Sequence, residues 1–225
     1  MATSPRKQLD PNWHWEVLPP NTKKALDFLS TQEWLNDSGW YLAGGTALAL
    51  LTGHRTSVDL DFFTTQSSFE PAEVVGHFTE NKNWQAKLVK KSTIYGKLLK
   101  AKVSFIAYPF LVPKQTFLNY GSIKILQPID IAVMKIIAIS QRGRKRDFFD
   151  LYWCAHHLEP LEKTLARLRE QYPSVAHDYH HLIKSLVYFA DAENDPPLVL
   201  HFEANWKQVK EFFTAEIKRL AFNYI

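Results

Sequence analysis

Residues 41–63 read YLAGGTALALLTGHRTSVDLDFF, and the meaning given to this stretch decides the fold. It divides into a short apolar strand, a Gly44-Gly45 turn, a short helix from Thr46 to Leu51, a polar loop, and a second strand carrying Asp59 and Asp61. Side chains alternate along a strand, so Asp59 and Asp61 project to one face while Val58, Leu60 and Phe62 take the other. Two neighbouring carboxylates repel, and a hard divalent cation such as Mg²⁺ relieves that repulsion while keeping positions open for water and phosphate. Gly44 and Gly45 allow positive φ and close approach of a ligand to the main chain. Thr46 is a candidate cap, and a helix starting here would point free N–H groups at an anion. Each half has an ordinary reading, a tight turn in one case and surface decoration in the other. Together, with helix-length sequence between them, they predict a metal pair next to a phosphate-receiving turn.

Working outward, the 54–57 loop offers Arg55 as a bidentate clamp for a triphosphate and Ser57 as a hydrogen-bond donor to a phosphate oxygen. His54 reads as a solvated loop residue. Downstream, Lys135 lies in an apolar helix predicted over 129–142, either snorkelling or aimed at a ligand. The segment Arg142-Gly143-Arg144-Lys145-Arg146 is followed by Asp147 and Asp150, three apart and so on one helix face. These carboxylates either pair with the adjacent cations or, in the functional reading, Asp147 acts as base or orienter while Arg144 and Lys145 contact phosphate or RNA.

The rest of the chain frames these blocks. Residues 1–20 hold four prolines and predict an extended arm docked by Trp13 and Trp15. Thr22 is expected to cap a first helix that Gly39 stops. A surface helix over 70–79 and strands over 84–89, 93–99, 102–107 and 122–126 follow. Lysines 82, 87, 90, 91, 97, 100 and 102 concentrate on these strands, as a solvated face or as a track for an RNA backbone. Helices over 161–172, 177–192 and 205–222 close the chain. The adjacent histidines 156/157 and 180/181 point to different helix faces and read as structural.

Composition bounds the class. With 225 residues, 46% hydrophobic and 22% charged, the chain is globular and large enough for a sizeable core. The net charge of +4 permits a nucleic-acid partner without requiring one. The single Cys154 excludes an internal disulfide, and no apolar run is long enough to span a bilayer, so the expected location is cytoplasmic with no membrane partner.

The string GGTALAL, then GHR and S, then DLDFF resembles the AbiEii/AbiGii toxin family, within the DNA polymerase β-type nucleotidyltransferases. The Arg144–Leu151 block resembles the same family's R-x-K-D-x-x-D-L pattern, with Arg146 intervening. The resemblance implies an α+β (mixed α/β) fold: a nucleotidyltransferase head over 1–127 with a mixed twisted sheet, and a helical region over 128–225 completing the site. It implies transfer of a nucleoside monophosphate from an NTP with two Mg²⁺ ions. The acceptor would be tRNA or other RNA, and a cognate antitoxin protein would neutralise the toxin. Carried over residue by residue, Asp59, Asp61, Lys135 and Asp147 would be catalytic, with Asp59 and Asp61 on metal. Gly44, Gly45, Thr46, Arg55 and Ser57 would hold the nucleotide. One departure stands out: the family's usual third strand carboxylate aligns with Ser104, and no Asp or Glu occurs between Glu80 and Asp130. Transfer of AMP to a protein, nucleotide binding without turnover, and a glycosyltransferase using D-x-D are the alternatives.

Overall fold

The computed structural model describes residues 12–224. Its strands are β1 (Tyr41–Ala43), β2 (Asp59–Thr64), β3 (Trp84–Lys90), β4 (Thr93–Leu98), β5 (Ala101–Ala107), β6 (Leu118–Tyr120) and β7 (Ile123–Ile125). They form one seven-stranded mixed sheet in the order β3-β4-β5-β2-β1-β7-β6. β1 runs antiparallel to β2 and parallel to β7, while β2 runs parallel to β5. The mixed α/β expectation holds.

The register explains the two faces. Leu60 and Phe62 of β2 lie opposite Val103 and Phe105 of β5, and all four are buried against the helix α1 (Pro20–Ser30). Asp59, Asp61 and Phe63 lie opposite Lys102, Ser104 and Ile106 on the other face. Behind this second face stand α2 (Gly44–Thr52), α4 (Pro128–Arg142) and α5 (Lys145–His157), packed on one another. The buried apolar cluster is continuous from Leu42 and Leu60 through Ile131 and Ile136 to Phe148 and Phe213, so it crosses the expected seam at Pro128.

Several boundaries differ from the sequence reading. Thr22 does not cap α1, which starts one turn earlier with Pro20 in its first turn; Thr22 instead donates to the Val58 carbonyl at 3.0 Å. α1 ends at Ser30, so a short 3₁₀ turn over Glu33–Leu35 intervenes before Gly39. Val58 stands outside β2 and is exposed. The helix expected over 177–192 is two pieces, α8 (Tyr179–Ser185) and α9 (Ala190–Glu193), and the one over 161–172 is likewise split into α6 (Leu161–Ala166) and α7 (Leu168–Gln171). α10 (Trp206–Tyr224) closes the chain, and α3 (Pro71–Gly76) lies at the β3 end of the sheet. Of the N-terminal arm, residues 1–11 lie outside the described residues; Trp13 and Trp15 do dock, with ring centroids 5.8 and 4.9 Å from Tyr120. Among the described residues no helix is long and apolar enough to cross a membrane.

Candidate active site

β1 feeds directly into α2, and the junction sits beside the carboxylate strand because Ala43 is the register partner of Asp61. Gly44 has φ +73°, and a Cβ there would lie 3.3 Å from Asp61 Oδ2. A Cβ on Gly45 would lie 2.4 Å from Arg55 Nη2, so this position has no room for a side chain. The main chain can therefore come close to whatever occupies the carboxylate face. Thr46 is inside the helix rather than capping it. Its hydroxyl donates to the Asp59 carbonyl and shares a 2.9 Å hydrogen bond with Ser57 Oγ, tying α2 to the start of β2.

The loop between α2 and β2 is held from outside. The Thr56 N–H donates to the Val199 carbonyl, His54 accepts through its carbonyl from the His201 N–H, and the Ser57 N–H donates to the Val17 carbonyl. This fixes Arg55, which turns inward with 3% exposure. Its guanidinium makes a bidentate pair with Asp150, Nε to Oδ1 at 2.6 Å and Nη2 to Oδ2 at 2.8 Å. His54 is buried too, with Nε2 2.8 Å from Asp150 Oδ1, so the solvated-loop expectation for this residue is corrected.

Lys135 of α4 completes the cluster, with Nζ 2.7 Å from Asp147 Oδ1 and 2.6 Å from Asp150 Oδ2. Arg142 contacts Asp147 from the last turn of α4, Nε to Oδ2 at 3.1 Å. Asp147 and Asp150 have no exposure. Burial pushes the Asp150 carboxyl up, but the Arg55 and Lys135 charges outweigh it and hold the group well below the usual carboxylate range. Burial dominates at His54 and holds the imidazole below 6.5 despite the Asp150 hydrogen bond.

These elements enclose a cavity of about 540 Å³, within the roughly 300–1,000 Å³ usual for small-molecule sites. Gly44, Gly45, Thr46, Arg55, Ser57, Asp59, Asp61 and Lys135 all border it. Asp147 does not. Its oxygens face Lys135 and Arg142, so its placement is that of a counter-ion behind the lysine and not of a base facing a substrate. Arg144 and Lys145 also lie elsewhere, bonded to the 193–195 segment through Asp195 and the Glu193 carbonyl.

The cavity also takes in Lys97 and Lys102 from the lysine-rich strands, together with residues that sequence reasoning did not single out as ligand groups: Tyr95, Tyr108, Met134 and Arg146. A strand period places Lys97 and Lys102 on the carboxylate face once the pairing Lys97↔Lys102↔Asp59 is known, but the pairing is not readable locally. Ser104 sits opposite Asp61 and donates to its Oδ1 at 2.6 Å. Burial raises the Asp61 carboxyl, the Ser104 hydrogen bond opposes this, and the charge of Asp59 adds to the rise. Arg146 Nη1 lies 3.4 Å from Asp59 Oδ2. Among the described residues Asp59 Oδ1 is buried with no hydrogen-bond partner; Lys102 Nζ, at 3.9 Å, is an ion-pair neighbour too distant to be one. An orphaned carboxylate oxygen in a polar cavity is a costly arrangement unless a cation or a water satisfies it.

The Gly45 geometry gives a direct check. Gly45→Ala is expected to displace Arg55 and to cost about 1–3 kcal/mol of stability through overpacking, read as a lowered urea midpoint.

The chain is 34% identical over 207 residues to an uncharacterized protein, aq_aa25, of Aquifex aeolicus (strain VF5), covering 89% of this chain and 96% of that one. Among solved structures it is similar to MenT4, a nucleotidyltransferase toxin of Mycobacterium tuberculosis H37Rv, at 16% identity and TM-score 0.55 over 90% of this chain and 89% of that one. It is also similar to JHP933 of Helicobacter pylori, at 18% identity and TM-score 0.52 over 92% and 94%. At such identities these two likenesses speak to the fold. The family model described as nucleotidyl transferase AbiEii toxin, type IV TA system, matches residues 28–93 and 94–222, and the chain therefore belongs to this family of nucleotidyltransferase toxins.

Proposed function

We propose that this toxin transfers a nucleoside monophosphate from a Mg²⁺-bound NTP to an RNA acceptor such as tRNA, and that a cognate antitoxin restrains it. The observation that carries the nucleotide half is Asp59 Oδ1, a buried carboxylate oxygen without a hydrogen-bond partner among the described residues, beside the glycine start of α2. Asp59 and Asp61 would hold Mg²⁺, which when bound neutralises charge on the triphosphate and orients it. The α2 N-terminus would receive phosphate oxygens through backbone N–H groups. Lys135 and Arg55, immobilised by Asp147 and Asp150, would present fixed positive charge to the triphosphate at no cost of reorganisation. The acceptor hydroxyl would attack the α-phosphorus and lose its proton to solvent, the α–β bridge would break, and pyrophosphate would leave with the bridging oxygen. With Asp147 turned away, the carboxylates that face the acceptor are those of β2.

Support for RNA comes from the cavity wall. Lys87, Lys97 and Lys102 border the cavity, all exposed, and Tyr95, 46% exposed, stands among them. Among the described residues neither Lys87 nor Lys97 has an ion-pair partner. Exposed lysines interleaved with an aromatic ring suit a phosphate backbone with a base that stacks. Incubation with each labelled NTP, total tRNA and cell lysate tests the whole reading: label is expected in RNA with release of pyrophosphate. Label confined to protein would move the assignment to protein modification. Lys87→Ala, Lys97→Ala and Lys102→Ala are each expected to lower the slope of log affinity for RNA against log salt by about one, measured by filter binding.

A further inference from the structure

We infer that the cavity takes one divalent cation per bound nucleotide, held by Asp59 Oδ1 and Asp61 Oδ2, because Ser104 and Arg146 already engage the two oxygens that a second cation would need. This rests on the nucleotide-binding reading above and concerns the ion count within it.

The floor has four carboxylate oxygens. Asp61 Oδ1 accepts the Ser104 hydroxyl at 2.6 Å, and Asp59 Oδ2 faces Arg146 Nη1 at 3.4 Å. Among the described residues Asp59 Oδ1 is buried with no hydrogen-bond partner, and no hydrogen bond reaches Asp61 Oδ2. That leaves one open oxygen from each aspartate, a donor pair for one ion whose remaining positions fall to water and phosphate. Two divalent ions set about 3.5–4 Å apart, as in two-metal sites, need carboxylates that bridge or surround both. Here the next strand supplies a neutral hydroxyl, 3% exposed and fixed by the β2–β5 register. Among the described residues no third Asp, Glu, His or Cys joins these two to make a larger ligand group.

The charge balance agrees. A second ion would add two positive charges to a floor where Lys102 and Arg146 already flank Asp59. Like charges at such separations repel strongly in a partly desolvated site. Lys102 and Arg146 are cations already in place, so the positive charge that a second metal would offer the triphosphate is built into the wall. Ser104 is thus a residue that sets the ion count, not one that reacts.

Mn²⁺ is the probe. The full chain is dialysed against Mn²⁺ with α,β-nonhydrolysable analogues of the four NTPs, and bound Mn²⁺ per bound nucleotide is counted. The spin-resonance spectrum reports independently whether bound ions are isolated or coupled neighbours. The expected result is one ion per nucleotide with an isolated-ion spectrum. Ser104→Asp is expected to raise the count to two and produce a coupled spectrum, since a third carboxylate beside Asp61 demands a cation between them. Two ions in the unaltered chain, or one ion in a folded Ser104→Asp variant, would overturn the inference while nucleotide binding stands. Failure to retain any analogue, or retention with no Mn²⁺, would overturn both it and the functional reading. The count on the unaltered chain decides even if the variant does not fold.

Discussion

Changing Asp59 and Asp61 together to asparagine is expected to lower nucleotide transfer by at least roughly 10³-fold while the fold stays intact. The asymmetry follows from where these side chains sit. Both edge the cavity, half-buried, and the backbone of β2 is held by its register with β1 and β5, not by the carboxylates. Asparagine keeps the shape, and Ser104 can still donate to the amide oxygen at position 61. What disappears is the pair of negative charges whose repulsion calls for a cation, leaving an uncharged amide atom in the place of Asp59 Oδ1. Burial and Asp59 together raise the Asp61 carboxyl, so removing the charge also relieves strain between the two groups. Stability is therefore expected to hold or rise slightly, with a urea midpoint at or above that of the parent. The measurement is transfer of labelled nucleotide to tRNA alongside that midpoint. Activity within tenfold of the parent would mean that the chemistry lies elsewhere.

How much of this was legible beforehand depends on the range of the interaction that sets each feature. The β1–α2–β2 unit is local: apolar strand, glycine corner, helix formers, alternating strand. Its sequence signals agree, and eight of the nine residues picked from sequence border the cavity, Asp147 being the exception. The outer strands were found, but their face was not, because Lys97 and Lys102 acquire their meaning only from the pairing that puts them level with Asp59. β6 was missed because Leu118–Tyr120 is three residues long and gains its identity from pairing with β7. The tight turn between β4 and β5 carries Leu99 and Lys100 at φ +50° and +72°, without the Asn or Gly that advertises such a turn. The division between Lys135 and Asp147 was the hardest to see. A lysine and an aspartate twelve apart on successive helices look like independent ligand groups, yet α4 and α5 fold back so that Asp147 holds Lys135 in place from behind. His54 was misjudged for the same reason: its partner Asp150 lies 96 residues away.

Asp150→Asn should be the most damaging single change to stability, by about 3–5 kcal/mol, a large fraction of the roughly 5–15 kcal/mol that holds a domain together. Asp150 is completely buried and receives Arg55 through two hydrogen bonds, Lys135 at 2.6 Å and His54 at 2.8 Å. The amide leaves the Arg55 charge buried without its counter-ion and presents an N–H₂ group to donors. Because the same residue fixes Arg55 and Lys135 at the cavity wall, transfer should fall along with the urea midpoint. Acid should reveal the network in two stages. His54 is held neutral in the folded chain, with a pKa below 6.5, so the unfolded chain takes up the extra proton first as pH falls. Stability is then lost progressively from about 6.5 downward, until His54 protonates in the folded chain too. Asp150 is depressed, so its contribution is complete above the ordinary carboxylate value of 3.8 and disappears only as pH falls below it. Urea midpoints at a series of pH values should therefore decline below 6.5 in the parent, and His54→Gln should flatten that first decline while leaving the second. An unchanged slope in His54→Gln would show that the imidazole is not what the fold keeps neutral. A parent-like midpoint for Asp150→Asn would mean that Arg55 and Lys135 do not depend on this carboxylate, and the fixed cations assigned to the triphosphate would lose their anchor.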